Sequence, residues 1–106
     1  MRSVLDDRVL VKDYWLAIAL IYAGHDLVSL TPKDRYTEFI LLVPKFDYEE
    51  YYKEFYAGVL QISDAKAFGR TATDIGRVIR DAKRAGQNYI NPDFEGMLAA
   101  EALATS

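Results

Sequence analysis

The stretch Asp26-Leu27-Val28-Ser29-Leu30-Thr31, then Pro32-Lys33-Asp34-Arg35, then Tyr36-Thr37-Glu38-Phe39-Ile40-Leu41-Leu42-Val43, decides the fold. Its two flanks are rich in aliphatic, β-branched and aromatic residues. The polar segment between them carries a proline that fixes φ at a turn. The stretch reads as an antiparallel hairpin, with strands over 26–31 and 36–43. Phe39 to Val43 is apolar without alternation, so the second strand is expected at the centre of a sheet, covered on both faces. Pro44 ends it, since proline cannot donate to a ladder.

On the N-terminal side, Arg8-Val9-Leu10-Val11 reads as a short extended segment. Asp13 suits an N-cap, because its carboxylate can accept from a free amide of the first turn. A helix follows over Tyr14 to Ala23, closed by Gly24, where a left-handed residue is usual. Trp15, Ile18, Ala19 and Tyr22 lie on one face of it and Leu16, Leu20 and Ala23 on another. A helix apolar nearly all round is covered on both sides, and a second copy of the chain is one expected cover.

On the C-terminal side, Asp47 is expected to cap a second helix, Tyr48 to Ala57, with Gly58 just past its end. Tyr48, Tyr51, Tyr52 and Phe55 would form its apolar face. Val59 to Ile62 reads as a brief strand or an extended link. Ser63 opens a third helix to Ala85, closed by Gly86, with Phe68, Ala72, Ile75, Ile79 and Ala82 as its apolar stripe. Gly69 marks a point where that helix could break. Asn91 as N-cap and Pro92 at the first helical position open a last helix, docked by Phe94, Met97, Leu98 and Leu103. The fold class is therefore α+β: a small antiparallel sheet of three or four short strands, helices mainly on one face, in the order β-α-β-β-α-β-α-α. The whole chain, 1–106, reads as one domain, with 87–106 as a helical extension.

Composition bounds the function. The 106 residues carry 13 basic and 16 acidic side chains, for a net charge of −3, and include eight Tyr, five Phe and one Trp but no Cys. Disorder is excluded by the aromatic content, and thiol chemistry, disulfides and cysteine-zinc sites by the missing cysteine. The longest apolar run, Tyr14 to Ala23, is half the roughly 20 residues a membrane span needs. Acidic residues interrupt the first thirteen positions, which argues against a signal peptide, so a cytoplasmic protein with no membrane partner is expected.

No motif points to catalysis. Gly69-Arg70-Thr71 lacks the spacing of a phosphate-binding loop. His25 is the only histidine, and it has no second histidine or cysteine to share a metal with. A Ser-His-Asp set written from Ser29 or Ser63 with His25 and Asp26 has no nucleophile elbow to support it. The adjacent pairs Asp6-Asp7 and Glu49-Glu50 diverge on a helix and form no acid–base dyad. Neither an enzymatic activity nor a cofactor nor a metal is expected.

Two surfaces point to binding. Aromatic residues cluster along the first two helices, and the segment 44–58 sets two lysines against four acids, which suits a protein interface better than a nucleic-acid groove. Trp15, Tyr51, Tyr52 and Tyr56 are the expected interface anchors, being of the types that dominate such contacts. The third helix carries six basic residues against three acidic ones. Arg70, Asp74, Arg77, Asp81 and Arg84 alternate in sign at helical spacing, which predicts a salt-bridge ladder. Arg80 and Lys83 stand outside it, and Arg77, Arg80, Lys83 and Arg84 form the expected contact set should the ligand be a nucleic acid. The small residues Gly69, Ala72, Thr73 and Gly76 on that helix read either as a place of close helix approach or self-association, or as a weak helix with a kink.

Four stretches carry a resemblance: Leu16-Ala17-Ile18-Ala19-Leu20 running to Gly24, the strand around Leu27 to Leu30, Phe39 to Leu42, and Phe55-Tyr56-Ala57-Gly58-Val59-Leu60-Gln61-Ile62 leading into Ser63. In these the chain resembles a family of small uncharacterised domains of bacteria and their double-stranded DNA phages. The resemblance implies a phage or prophage origin and supplies no catalytic or binding position. The expected function is that of a non-catalytic inhibitor of a bacterial defence system, acting in the host cytoplasm. It would occlude a host protein or sequester a small signalling ligand, as a homodimer or higher oligomer. The alternative is a nucleic-acid-binding accessory or regulatory protein using the third helix.

Overall fold

The computed structural model describes residues 7–105. The chain forms four strands and four helices in the order β1 (Arg8–Val11), α1 (Tyr14–Tyr22), β2 (Asp26–Pro32), β3 (Thr37–Leu42), α2 (Lys45–Ala57), α3 (Ala65–Ala85), β4 (Tyr89–Ile90) and α4 (Pro92–Thr105). The fold is α+β, with one antiparallel sheet ordered β1-β3-β2-β4. As its apolar run predicts, β3 is internal.

The two faces of β3 meet different covers. Phe39, Leu41 and Val43 are fully buried in the main core, with Val11, Leu16, Ile18, Leu20 and Leu30. The alternate residues Ile40 and Leu42 point the other way, where they pack with Val28, Phe94 and Leu98 of the smaller second core. Helices α1 and α3 cover the first face and α4 the second, so the helices lie mainly on one side.

A β-bulge makes this partition possible. The register between β2 and β3 shifts between Leu27 and Ser29. The extra residue, Val28, turns toward α4, while Leu27 and Leu30 both enter the main core. A bulge leaves ladder groups unpaired. Here Asn91 takes them up: its backbone N–H donates to the Val28 carbonyl at 2.8 Å and its Nδ2 to the Leu27 carbonyl at 2.7 Å. Asn91 Oδ1 meanwhile accepts from the Asp93 N–H at 3.0 Å and so caps α4. One side chain ties the bulge to the start of the last helix.

That tie explains where the fourth strand lies. Residues 59–62 are irregular, not a strand, and Val59 is exposed. They join two helices on the same side of the sheet and do not reach its edge. Tyr89 and Ile90 take that edge instead, opposite Leu30 and Ser29. Residues 87–105 therefore contribute both a strand and the cover of the outer sheet face.

The helix ends follow their caps. Asp13 Oδ1 accepts from Trp15 and Leu16 amides at 3.0 and 3.3 Å. Gly58 and Gly86 close α2 and α3 with φ of 74° and 64°, a backbone that favours glycine. Three expectations are corrected. Helix α2 begins at Lys45 behind Pro44, and Asp47 lies inside its first turn, where a carboxylate favours the amide dipole without capping it. Asp64, not Ser63, caps α3. Helix α3 also runs unbroken through Gly69 and Gly76, because its buried stripe outweighs the roughly 1 kcal/mol that each glycine costs.

Helix α1 is covered by its own chain. Leu16 to Leu20 are all buried, between the sheet and the residues Tyr48, Tyr51, Phe55, Phe68 and Ala72 of α2 and α3. Its all-round apolarity thus requires no second copy. Of the expected docking residues of α4, Phe94 is buried and Leu98 half-buried, while Met97 and Leu103 are exposed.

Asn91→Ala is expected to destabilise the fold by about 1–3 kcal/mol, for a lost cap and a lost bond to a half-buried carbonyl. Asn91→Asp keeps the cap and loses the donor to Leu27, so its urea midpoint also falls. Midpoints equal to wild type for both would remove Asn91 from this role.

Candidate functional site

Three helices converge on an aromatic surface. On α2, Tyr48, Tyr52 and Tyr56 follow each other at helical spacing, with ring centroids 6.1 and then 4.6 Å apart. Phe55 meets Tyr56 edge-on at 5.0 Å. The Tyr56 hydroxyl donates to Asp13 Oδ2 at 2.9 Å. Asp13 thus joins α2 to the start of α1 while its other oxygen caps that helix. Trp15, two residues on, stands edge-on to Tyr14 at 5.0 Å and stacks on Phe68 of α3 at 6.2 Å. Phe68 in turn meets Tyr22 at 5.6 Å. The Tyr22 hydroxyl shares a bond with Ser63 Oγ and accepts the Asp64 N–H, each at 3.0 Å.

These contacts fix the rings without burying them. Trp15 is 53% exposed, Tyr52 47% and Tyr56 56%. Tyr51 differs: it is half-buried, with the His25 ring edge-on at 5.9 Å. Of the four expected anchors the structure brings Trp15 and Tyr56 together through Asp13, sets Tyr52 beside Tyr56, and turns Tyr51 inward. Phe46, Val59 and Ile62 are exposed apolar neighbours in sequence that the aromatic pattern alone did not single out.

The surface shapes its own phenols. The Asp13 carboxylate accepting from the Tyr56 hydroxyl holds that phenol above the ordinary tyrosine value, with desolvation and the charge of Asp13 acting in the same direction. Burial raises Tyr14, whose hydroxyl donates to the Ala72 carbonyl at 2.7 Å. Burial, then Tyr52, raises Tyr48. The Tyr14 hydroxyl oxygen lies 3.6 Å from where a Cβ on Gly76 would sit, an ordinary contact distance, so Tyr14 does not require glycine there. Ala72 and Gly76 are half-buried, while Gly69 and Thr73 are exposed.

The basic helix presents a second surface. Arg77, Arg80, Lys83 and Arg84 are all exposed. The expected ladder does not form: among the described residues the charges of α3 close no ion pair, and the pairs seen elsewhere are Arg8–Glu101 at 2.8 Å and Lys33–Glu38 at 3.7 Å. Exposed pairs of this kind gain little over solvation, so the arginines extend into water. Lys83 alone of the four turns toward the sheet, where Lys12, Lys33 and Arg35 line the same grooves. Those three escape a sequence reading because they belong to a turn and a loop that only the fold lays against α3.

Among the described residues no group of three His, Asp or Glu gathers at metal-holding distance. Nor is any described helix long and apolar enough to cross a membrane. Asp6 of the Asp6-Asp7 pair lies outside the described residues. No protein-family model matches the chain, and neither a curated protein nor a solved structure shows significant similarity to it. The geometry defines a small α+β domain with a fixed, exposed aromatic face.

In an alkaline titration followed by ring NMR, Tyr14, Tyr48 and Tyr56 are expected to ionise above the free tyrosine value of about 10. A phenol raised in the folded state stabilises the fold below its unfolded value of about 10. That stabilisation is lost as pH rises through the folded value. Asp13→Ala should move Tyr56 back toward the free tyrosine value and leave Tyr48 where it was. An unmoved Tyr56 would show that Asp13 does not set its ionisation.

Proposed function

We propose that this chain is a non-catalytic binding protein that occludes a host protein through the aromatic face of α1, α2 and α3. The observation that carries the reading is the exposure of Trp15, Tyr52 and Tyr56, with the Tyr56 hydroxyl and the Trp15 backbone amide both bonded to Asp13 and the Trp15 ring stacked on Phe68. Exposed aromatic patches of this kind are unusual on monomers and mark interaction sites. Tyr and Trp contribute large contact area with few rotors to freeze, so preset rings lose little entropy on binding.

The resemblance to small domains of bacteria and their phages supports a phage or prophage origin, with inhibition of a bacterial defence system in the host cytoplasm as the role. Occlusion of a protein is favoured over sequestration of a small signalling molecule. Small-molecule pockets are concave and bury most of their ligand, whereas the grooves of this fold are open to solvent. Self-association, if it accompanies this role, is proposed to use the same aromatic face, since α1 is already covered from within.

Co-expression of the protein in bacteria carrying a matched defence system is expected to restore phage plating. Trp15→Ala with Tyr56→Ala should abolish that effect while circular dichroism remains native, and Leu103→Ala should not. Full protection of the phage by the double variant would sink the aromatic face as the working surface. Light scattering on the two proteins reads the second copy directly: a wild-type dimer that becomes monomeric in the double variant places self-contact on this face.

A further inference from the structure

We propose that the cleft between the β2–β3 turn and the C-terminal half of α3 is a binding site for phosphate chains, with the phosphodiester backbone of single-stranded nucleic acid as its ligand. It adjoins the aromatic face at Asp13, which lines the first groove and accepts from Tyr56, but its cations lie outside that face. Two adjoining open grooves, of about 440 and 430 Å³, form the cleft. Lys12, Arg35 and Lys83 line the first, and Lys33 and Lys83 the second, so Lys83 stands where they meet. Four cations from three separate parts of the chain therefore converge on one cleft.

Three carboxylates offset them in part. Asp34 belongs to both grooves. Asp13 lines the first, where bonds from the Trp15 and Leu16 amides and the Tyr56 hydroxyl fix its carboxylate without cancelling its charge. Glu38 engages Lys33 loosely, at 3.7 Å. Lys12 is held over the Tyr36 ring, 5.5 Å from its centroid, a contact that orients the ammonium without neutralising it. Gln87 and Asn88 add amide donors to the second groove.

The cleft also continues outward. From Lys83 the exposed Arg80, Arg84 and Arg77 extend the positive surface along α3, and none closes an ion pair among the described residues. Seven residues separate Arg77 from Arg84, which at 1.5 Å per residue is roughly 10 Å of helix. A string of cations of that length beside an open cleft fits a chain of phosphates better than one compact anion. The grooves offer no stack of free rings and no set of donors preorganised for base edges, so contact to the backbone, indifferent to sequence, is what the chemistry provides.

The test is fluorescence anisotropy of a labelled single-stranded oligonucleotide titrated with the full chain at several salt concentrations. Binding is expected at low salt, with a log–log salt slope near −0.7 for each phosphate neutralised. Lys33→Ala with Arg35→Ala, and separately Lys83→Glu, should weaken it several-fold for every sequence and flatten that slope. Lys53→Ala on the acidic α2 should bind as wild type. Absence of binding at low salt, or cleft variants that bind as tightly as wild type, overturns the proposal. Unlabelled inorganic polyphosphate is the competing arm. Displacement at equal phosphate concentration assigns the cleft to phosphate chains at large and overturns the nucleic-acid assignment, and failure to displace upholds it. Tyr52→Ala, which removes a ring of the aromatic face without touching Asp13, should bind normally, so loss of the aromatic-face function and loss of this one are separable.

Discussion

Strand β3 must be covered on both sides. Its apolar run from Phe39 to Val43 alternates between two faces, and nothing polar separates them. Burial of a large apolar side chain stabilises by roughly 1.5–3 kcal/mol, so a sheet that left either face of this strand in water would forfeit several such increments. The helices distribute themselves accordingly. Helices α1 and α3 close over Phe39, Leu41 and Val43, and α4 closes over Ile40 and Leu42. The central position of β3, the internal burial of α1 and the return of the C-terminal segment across the outer face all follow from that one requirement.

The bulge at Val28 reconciles β2 with this arrangement. Strict alternation would send Leu27 and Leu30 to opposite faces. The extra residue lets both enter the main core and gives Val28 to the second one. The carbonyls of Leu27 and Val28 at this bulge are the anchor for Asn91, and through it for β4 and α4. The polar exception in a strand is thus the attachment point of the last fifth of the chain.

The surfaces divide by charge and by ring. Helix α2 is acidic and carries the tyrosines; α3 is basic and carries none. Asp13 is central to the first surface because one carboxylate both caps α1 and accepts from Tyr56. The second surface is defined by what does not happen: the alternating charges of α3 stay apart, leaving its arginines open to solvent. A net charge near zero hides this polarity, because the acidic and basic blocks cancel in the sum but not in space.

Periodicity, caps and breakers were enough to read the hairpin, the central strand, α1 with its Asp13 cap, the buried stripe of α3 and the Asn91–Pro92 start of α4. All of these are set by neighbours within a few residues, where local sterics and hydrogen bonding act. The exposure of Trp15, Tyr52 and Tyr56 and the inward turn of Tyr51 were not legible, because a tyrosine suits a core and an interface equally. Nor was the fourth strand: Val59 to Ile62 has the better strand composition, yet Tyr89 and Ile90 take the edge because Asn91 pins them to a bulge more than sixty residues earlier. The sequence by itself determined the fold class, the glycine-closed ends of α2 and α3 and which residues are apolar enough to be buried. Only the tertiary structure decided which of them remain exposed and which cations share a cleft, because both depend on contacts between segments far apart in the chain.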